Sequence, residues 1–206
     1  MWKAVLAVLA LLALGDAAFA QHAAEVSLDY SYVHFVPQNN NLVSSVNLNG
    51  GGGAAALYFG YFGIKADFQG YASTTHNFAF PPGSAVCPAG CSGNAQVNLF
   101  TYNVGPTVKF RFHAFQPFLE ALFGGAHSNF YHNVFRNCSG CVSSGSPSNN
   151  AFDFLIGGGI DLKLTQHIAV RPAEFNYFLT RFGNDFTHGN NNQSNFRYQA
   201  GVVFMF

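Results

Sequence analysis

Along most of this chain apolar and polar residues alternate one by one, and polar stretches separate the alternating runs. Successive side chains of an extended strand point to opposite faces, so a period of two predicts β-strand with one apolar face. In the run 195–206, Phe196, Tyr198, Ala200, Val202, Phe204 and Phe206 fall on one side, and Arg197, Gln199, Gly201, Val203 and Met205 on the other. In 25–35, Glu25, Ser27, Asp29 and Ser31 oppose Val26, Leu28, Tyr30 and Tyr32. Further strands are predicted over 48–59, which has a small-residue middle, and over 64–71, where Lys65, Asp67 and Gln69 oppose Ile64, Ala66 and Phe68. The run 99–111 puts Thr101, Asn103, Thr107, Lys109 and Arg111 on one face, and 117–127 carries Glu120. Asp153, Asp161 and Lys163 are in phase along 151–164, and 167–182 follows after a two-residue turn.

The seventh of these eight runs breaks its own alternation. If Arg171 points to the polar side, a regular strand sends Glu174 to the apolar side, and a β-bulge at Pro172-Ala173 restores the phase. Short turns alternate with long connections rich in Asn, Ser and Gly, the longest running from 72 to 96. An even number of strands, each long enough for a tilted crossing of a bilayer, predicts an all-β fold: an eight-stranded antiparallel transmembrane up-and-down β-barrel. Lipid cannot satisfy an open sheet edge, which makes closure obligatory.

The N-terminus sharpens the solvent question. Lys3, the apolar run 5–14, then Ala18-Phe19-Ala20 before Gln21 have the layout of a cleavable signal peptide, predicted over 1–20, with the barrel domain over 21–206. The apolar run is too short to span a membrane as a helix. Only 9% of residues are charged, against about 25% in soluble domains. The 24 Phe and 9 Tyr are spread along the chain, and the formal net charge is zero, which leaves no electrostatic footprint for nucleic acid.

The segments PFLEALFGGAH (117–127) and GGGIDLKLTQHIAVRPAEFNYFLTRF (157–182), with the signal peptide and the aromatic terminal strand, resemble the OmpA/OmpX-type family of small outer-membrane β-barrels, in its porin-like form from Gram-negative bacteria. The resemblance covers 21–206 and implies an outer-membrane location and a chain consisting of the barrel alone. It also implies that Tyr198, Phe204 and Phe206 form the terminal signal read by the assembly machinery. Expected partners are that machinery, outer-membrane lipid and lipopolysaccharide, and an extracellular ligand of unknown identity. The barrel is expected to be monomeric.

Twelve charged residues are expected to face the interior: Glu25, Asp29, Lys65, Asp67, Lys109, Arg111, Glu120, Asp161, Lys163, Arg171, Glu174 and Arg197. Eight strands enclose a space that side chains can fill, so a packed salt-bridge network is expected there. A narrow small-solute pore is the alternative, with Gly51, Gly53, Gly105, Gly124, Gly157 and Gly159 leaving room inside. His76, His127, His132 and His188 gather near the long connections and are expected to be interfacial or exposed. The adjacent pair His127-Ser128 differs from the H-x-S-N motif of outer-membrane lipid A deacylases, because adjacent residues of a strand point to opposite faces. No catalytic, metal-binding or cofactor site is predicted. The expected function is a non-enzymatic role in envelope integrity or adhesion through the long connections.

Cys87 and Cys91, and Cys138 and Cys141, form two close pairs in these connections, expected to be disulfide-bonded within or between the pairs. Protein recovered from the cell surface should therefore give no free thiol on titration under denaturing, non-reducing conditions. Four reactive thiols, or stoichiometric zinc, overturn this.

Overall fold

The computed structural model describes residues 22–35, 46–73, 76–80, 82–83, 89–95, 98–128, 150–182 and 192–206. The proposed signal peptide lies outside them. Among these residues no helix is long and apolar enough to cross a membrane. Eight strands close into an all-antiparallel barrel: β1 (His22–Phe35), β2 (Val46–Phe59), β3 (Phe62–Ala72), β6 (Asn98–Lys109), β7 (Phe115–Ser128), β8 (Asn150–Lys163), β9 (Ile168–Phe182) and β10 (Asn192–Met205). Each pairs with its neighbour in the ring, and β10 closes on β1 from Glu25↔Met205 to His34↔Phe196. Every lateral backbone edge is thereby consumed, as a hydrocarbon solvent demands.

The connection 72–96 is not wholly irregular, as the sequence had implied. It contains β4 (His76–Phe80) and β5 (Cys91–Ala95), which pair with each other as a separate two-stranded sheet. Each is only five residues long. So short a run carries too little period-two signal to identify from pattern, and its pairing is fixed by the hairpin register.

At the opposite end the connections are tight. Gly60 and Tyr61 link Phe59 to its partner Phe62, with Gly60 at φ 67°, a left-handed conformation that glycine adopts without steric cost. The outward face is apolar and aromatic: Tyr61, Phe62, Phe112 and Phe206 at the tight-turn rim, Tyr30, Phe100, Tyr102, Phe152, Tyr177 and Phe196 toward the other. Such girdles belong at the two membrane interfaces.

Strand β9 carries the predicted bulge. On one side Asp161 faces both Arg171 and Pro172, because the register passes from Ile160↔Ala173 to Leu162↔Val170. On the other, Ala200 faces two residues, because Gln199↔Glu174 is followed by Gly201↔Arg171. The extra residue lets Arg171 and Glu174 both point inward, where they are buried. Proline has no N–H to lose, but the irregularity frees the Pro172 carbonyl on the lipid side, and the Tyr198 hydroxyl donates to it at 2.8 Å.

Tyr198→Phe removes that donor and leaves the Pro172 carbonyl facing hydrocarbon. The expected loss is about 1–3 kcal/mol, read as a lower urea midpoint for the barrel in lipid vesicles, while the aromatic contact with Phe175 remains. An unchanged midpoint would show that the bulge needs no clasp.

Candidate functional site

The lumen is built in two layers. Toward the tight turns lies a network of charges, and toward the long connections lies an apolar layer. The charged layer follows from alternation: one strand after another delivers a short or long charged side chain inward at 0–6% exposure, including Glu25, Asp29, Lys65, Asp67, Lys109, Glu120, Asp161, Arg171, Glu174 and Arg197. Lys65 Nζ donates to Glu120 Oε2 at 2.8 Å and to Glu174 Oε2 at 3.1 Å. Lys109 Nζ bridges Glu25 and Asp161, the latter at 2.7 Å. Arg171 joins the two groups, with Nε on Asp161 Oδ1 at 2.7 Å and NH1 on Glu174 Oε2 at 2.9 Å. Arg197 NH1 reaches Asp67 Oδ1 at 2.8 Å, and Asp29 lies 4.0 Å from Arg171.

Two of the twelve expected interior residues sit differently. Arg111 is at the tight-turn rim and exposed, where NH1 donates to the Gly60 carbonyl at 2.7 Å while NH2 lies 3.7 Å from Glu25. Lys163, in phase with Asp161 and the last residue of β8, is half-buried. Strand ends at the rim open to solvent, which suits long cationic side chains.

Two aromatic residues belong to the site and went unrecognised in the sequence. Phe118 and Tyr58 point inward, and the Phe118 ring centroid lies 4.5 Å from the Arg171 guanidinium carbon and 5.4 Å from Lys65 Nζ. Tyr58 lies beneath Lys109 and Arg111 at 5.1 and 4.9 Å. These are cation–π distances within a desolvated interior. The signal was phase: Phe118 is in step with Gln116 and Glu120, but an aromatic residue is ordinarily assigned to lipid.

The glycines do not leave space. Gly51 and Gly53, expected inside, face outward, since Leu48, Ala54, Ala56 and Tyr58 are the buried positions of β2. The inward ones are covered by the side chain directly across the ladder: Gln69 over Gly52, Asn103 over Gly124, Asn176 over Gly157 and Asp29 over Gly201. A Cβ at Gly124 would lie 2.8 Å from Asn103 Oδ1, and at Gly52 2.7 Å from Gln69 Oε1. Small residues on one strand thus receive polar side chains from the next. Between Glu25, Tyr58, Lys65 and Arg171 a void of about 10 Å³ remains, room for one water centre.

Above the charges, Val33, Leu48, Tyr71, Leu99, Leu122, Leu155 and Phe178 pack with Ala126 and Ala151 across the lumen. Between the layers, buried Asp153 accepts a hydrogen bond from Asn103 at 3.3 Å. His127 lies on the outward face bonded to Asn150 at 2.8 Å, whereas Ser128 is buried, so the adjacent pair diverges. Among the described residues no His, Cys, Asp and Glu set could hold a metal ion. Cys91 opens β5; Cys87, Cys138, Cys141, His132 and His188 lie outside the described residues, as does the side chain of His76. In β10, Tyr198 clasps the bulge and Phe204 lies on the outward face; Phe206, just past the strand, is also exposed, and its N–H donates to the Ala24 carbonyl at 2.8 Å.

Breaking one member of the network should cost more than removing a pair. Lys65→Met leaves Glu120 and Glu174 without the cation between them and is expected to cost about 3–5 kcal/mol. Adding Glu120→Gln should restore part of that, giving a coupling of about 0.5–3 kcal/mol. Denaturant midpoints of both single variants and the double variant in micelles measure this; additive losses would mean that the contacts are not energetically coupled.

Several solved structures match this chain. Neisserial surface protein A matches over 91% of this chain and 98% of its own, with a TM-score of 0.56 and 11% identity. Ail of Yersinia pestis, solved with the heparin analogue sucrose octasulfate, matches over 90% and 99%, with a TM-score of 0.49 and 10% identity. The outer membrane protease OmpT of Escherichia coli matches over 93% and 99%, with a TM-score of 0.39 and 12% identity. No curated protein sequence matches. The family model described as the outer membrane protein beta-barrel domain matches residues 4–206. With that match spanning the closed eight-stranded ring, the chain belongs to the outer membrane protein beta-barrel domain family.

Proposed function

We propose that this protein is a non-enzymatic outer-membrane barrel, exported by a cleaved signal peptide, that supports the envelope or mediates adhesion through its long connections. The observation that carries the reading is the filled lumen. Charged side chains neutralise one another across its lower half, and an apolar layer closes its upper half. An ion entering would have to break buried pairs and then pass the packed apolar cluster, both costly steps. The barrel therefore acts as a rigid, impermeable mount, and variation in function falls to what the mount displays.

Purified barrel added to planar bilayers is expected to give no conductance steps. Replacing 129–149 with a two-residue Asn-Gly turn should leave barrel folding intact while reducing attachment of the expressing cells to host surfaces, or raising their detergent sensitivity. Steady single-channel steps from the intact protein would favour the pore; full attachment and resistance after the replacement would remove this connection from the function.

A further inference from the structure

On the outward wall near the long connections, the aromatic belt is interrupted. Gly51, Gly70 and Phe100 are successive partners across β2, β3 and β6, and Asn49, Ala72 and Asn98 are the rung beyond them. At these two rungs β2 and β3 lack a large apolar outward side chain, and a groove of about 360 Å³ opens there, floored by Gly50, Gly70 and Ala72 and walled by Phe100. Asn49, Asn98 and His127 stand along it. Their placement is fixed: the Tyr30 hydroxyl donates to Asn49 Oδ1 at 2.6 Å, and His127 Nδ1 lies 2.8 Å from Asn150 Oδ1.

The groove is continuous with the apolar outward face, which meets lipid in a membrane barrel, and long connections lie on the outer-leaflet side of such barrels, which points to a lipid of that leaflet. We propose that it seats one acyl chain of an outer-leaflet glycolipid, with the adjoining sugar hydroxyls held by Asn49 and Asn98. The apolar floor and the Phe100 ring suit a hydrocarbon chain. The polar groups are carboxamides and an imidazole, which both donate to and accept from hydroxyls. Among the described residues no lysine or arginine lines the groove, and those are the side chains that phosphate recognition requires. The size lies within the range of small-ligand sites, about 300–1,000 Å³.

Gly70 allows a clean test. Unlike the inward glycines, its added Cβ meets nothing nearer than 3.9 Å, so a side chain there fills the groove without pushing on the backbone. Barrel refolded into nanodiscs of phosphatidylcholine, with a minor fraction of either a phosphate-free acylated disaccharide glycolipid or phosphatidylglycerol, would be released and weighed by native mass spectrometry. The wild type is expected to retain one glycolipid in preference to phosphatidylglycerol. Gly70→Leu should lower that retention about tenfold, the scale of losing a few buried methylene contacts. Asn98→Ala should lower it for the glycolipid while leaving phosphatidylglycerol unchanged. Ala55→Leu, on the same outward face but away from the groove, should change nothing. Ala72→Leu fills the same floor and gives a second reading should Gly70→Leu fail to fold. Equal retention of both lipids, or retention of the glycolipid undiminished by a filled groove, overturns the proposal.

Discussion

Backbone amides in hydrocarbon must be paired within the protein, and the sheet can meet that demand only by closing on itself. Once closed at eight strands, the ring sets the width of its own interior, and all else is an answer to filling that width. The outward face is fixed by the solvent as apolar. The inward face can be polar only if its charges neutralise one another at short range, because no bulk water reaches them. Lys65 between two glutamates, Lys109 between Glu25 and Asp161, and Arg171 between Asp161 and Glu174 are repeated solutions to that one requirement.

Side-chain volume enters through the ladder. Long charged groups lie opposite glycine or alanine: Lys65 faces Ala56 and Gly105, Glu120 faces Gly157, and Glu174 faces Gly159. Alternating large and small residues along a rung packs the space without straining the strand curvature. The bulge in β9 serves the same end, since without it Arg171 or Glu174 would be stranded in lipid. Tyr198 then donates to the Pro172 carbonyl at the bulge.

Much of this was legible in the sequence because polar residues mark phase. The eight strands, the bulge and ten of the twelve charges expected inside follow from counting in twos, with Asp29 and Asp67 as clear as any. Where polar markers are missing, the reading fails. From Gly50 to Phe59, β2 has no polar residue, so nothing showed that Tyr58 points in and Gly51 points out. The apolar lumen layer was hidden for a related reason: Leu48 is flanked by Asn47 and Asn49 and Leu155 by Phe154 and Ile156, so polar residues do not mark the inward face there. Phe118 and Tyr58 were missed because rings belong equally well against cations or lipid, and only the fold decides which.

The contacts that neutralise the lumen join residues far apart along the chain. Lys65 meets Glu174 across 109 positions, and Arg197 meets Asp67 across 130. Such pairings carry a large loop-closure cost and are slow to form. Until β10 reaches β1, the sheet has an unpaired edge and its cations and carboxylates are held by separate, unclosed walls. A half-finished ring would therefore present both unbonded backbone and unmatched charge to the bilayer. Closure and neutralisation become a single kinetic event, so partly closed forms stay scarce and the chain crosses from unassembled to sealed with little in between.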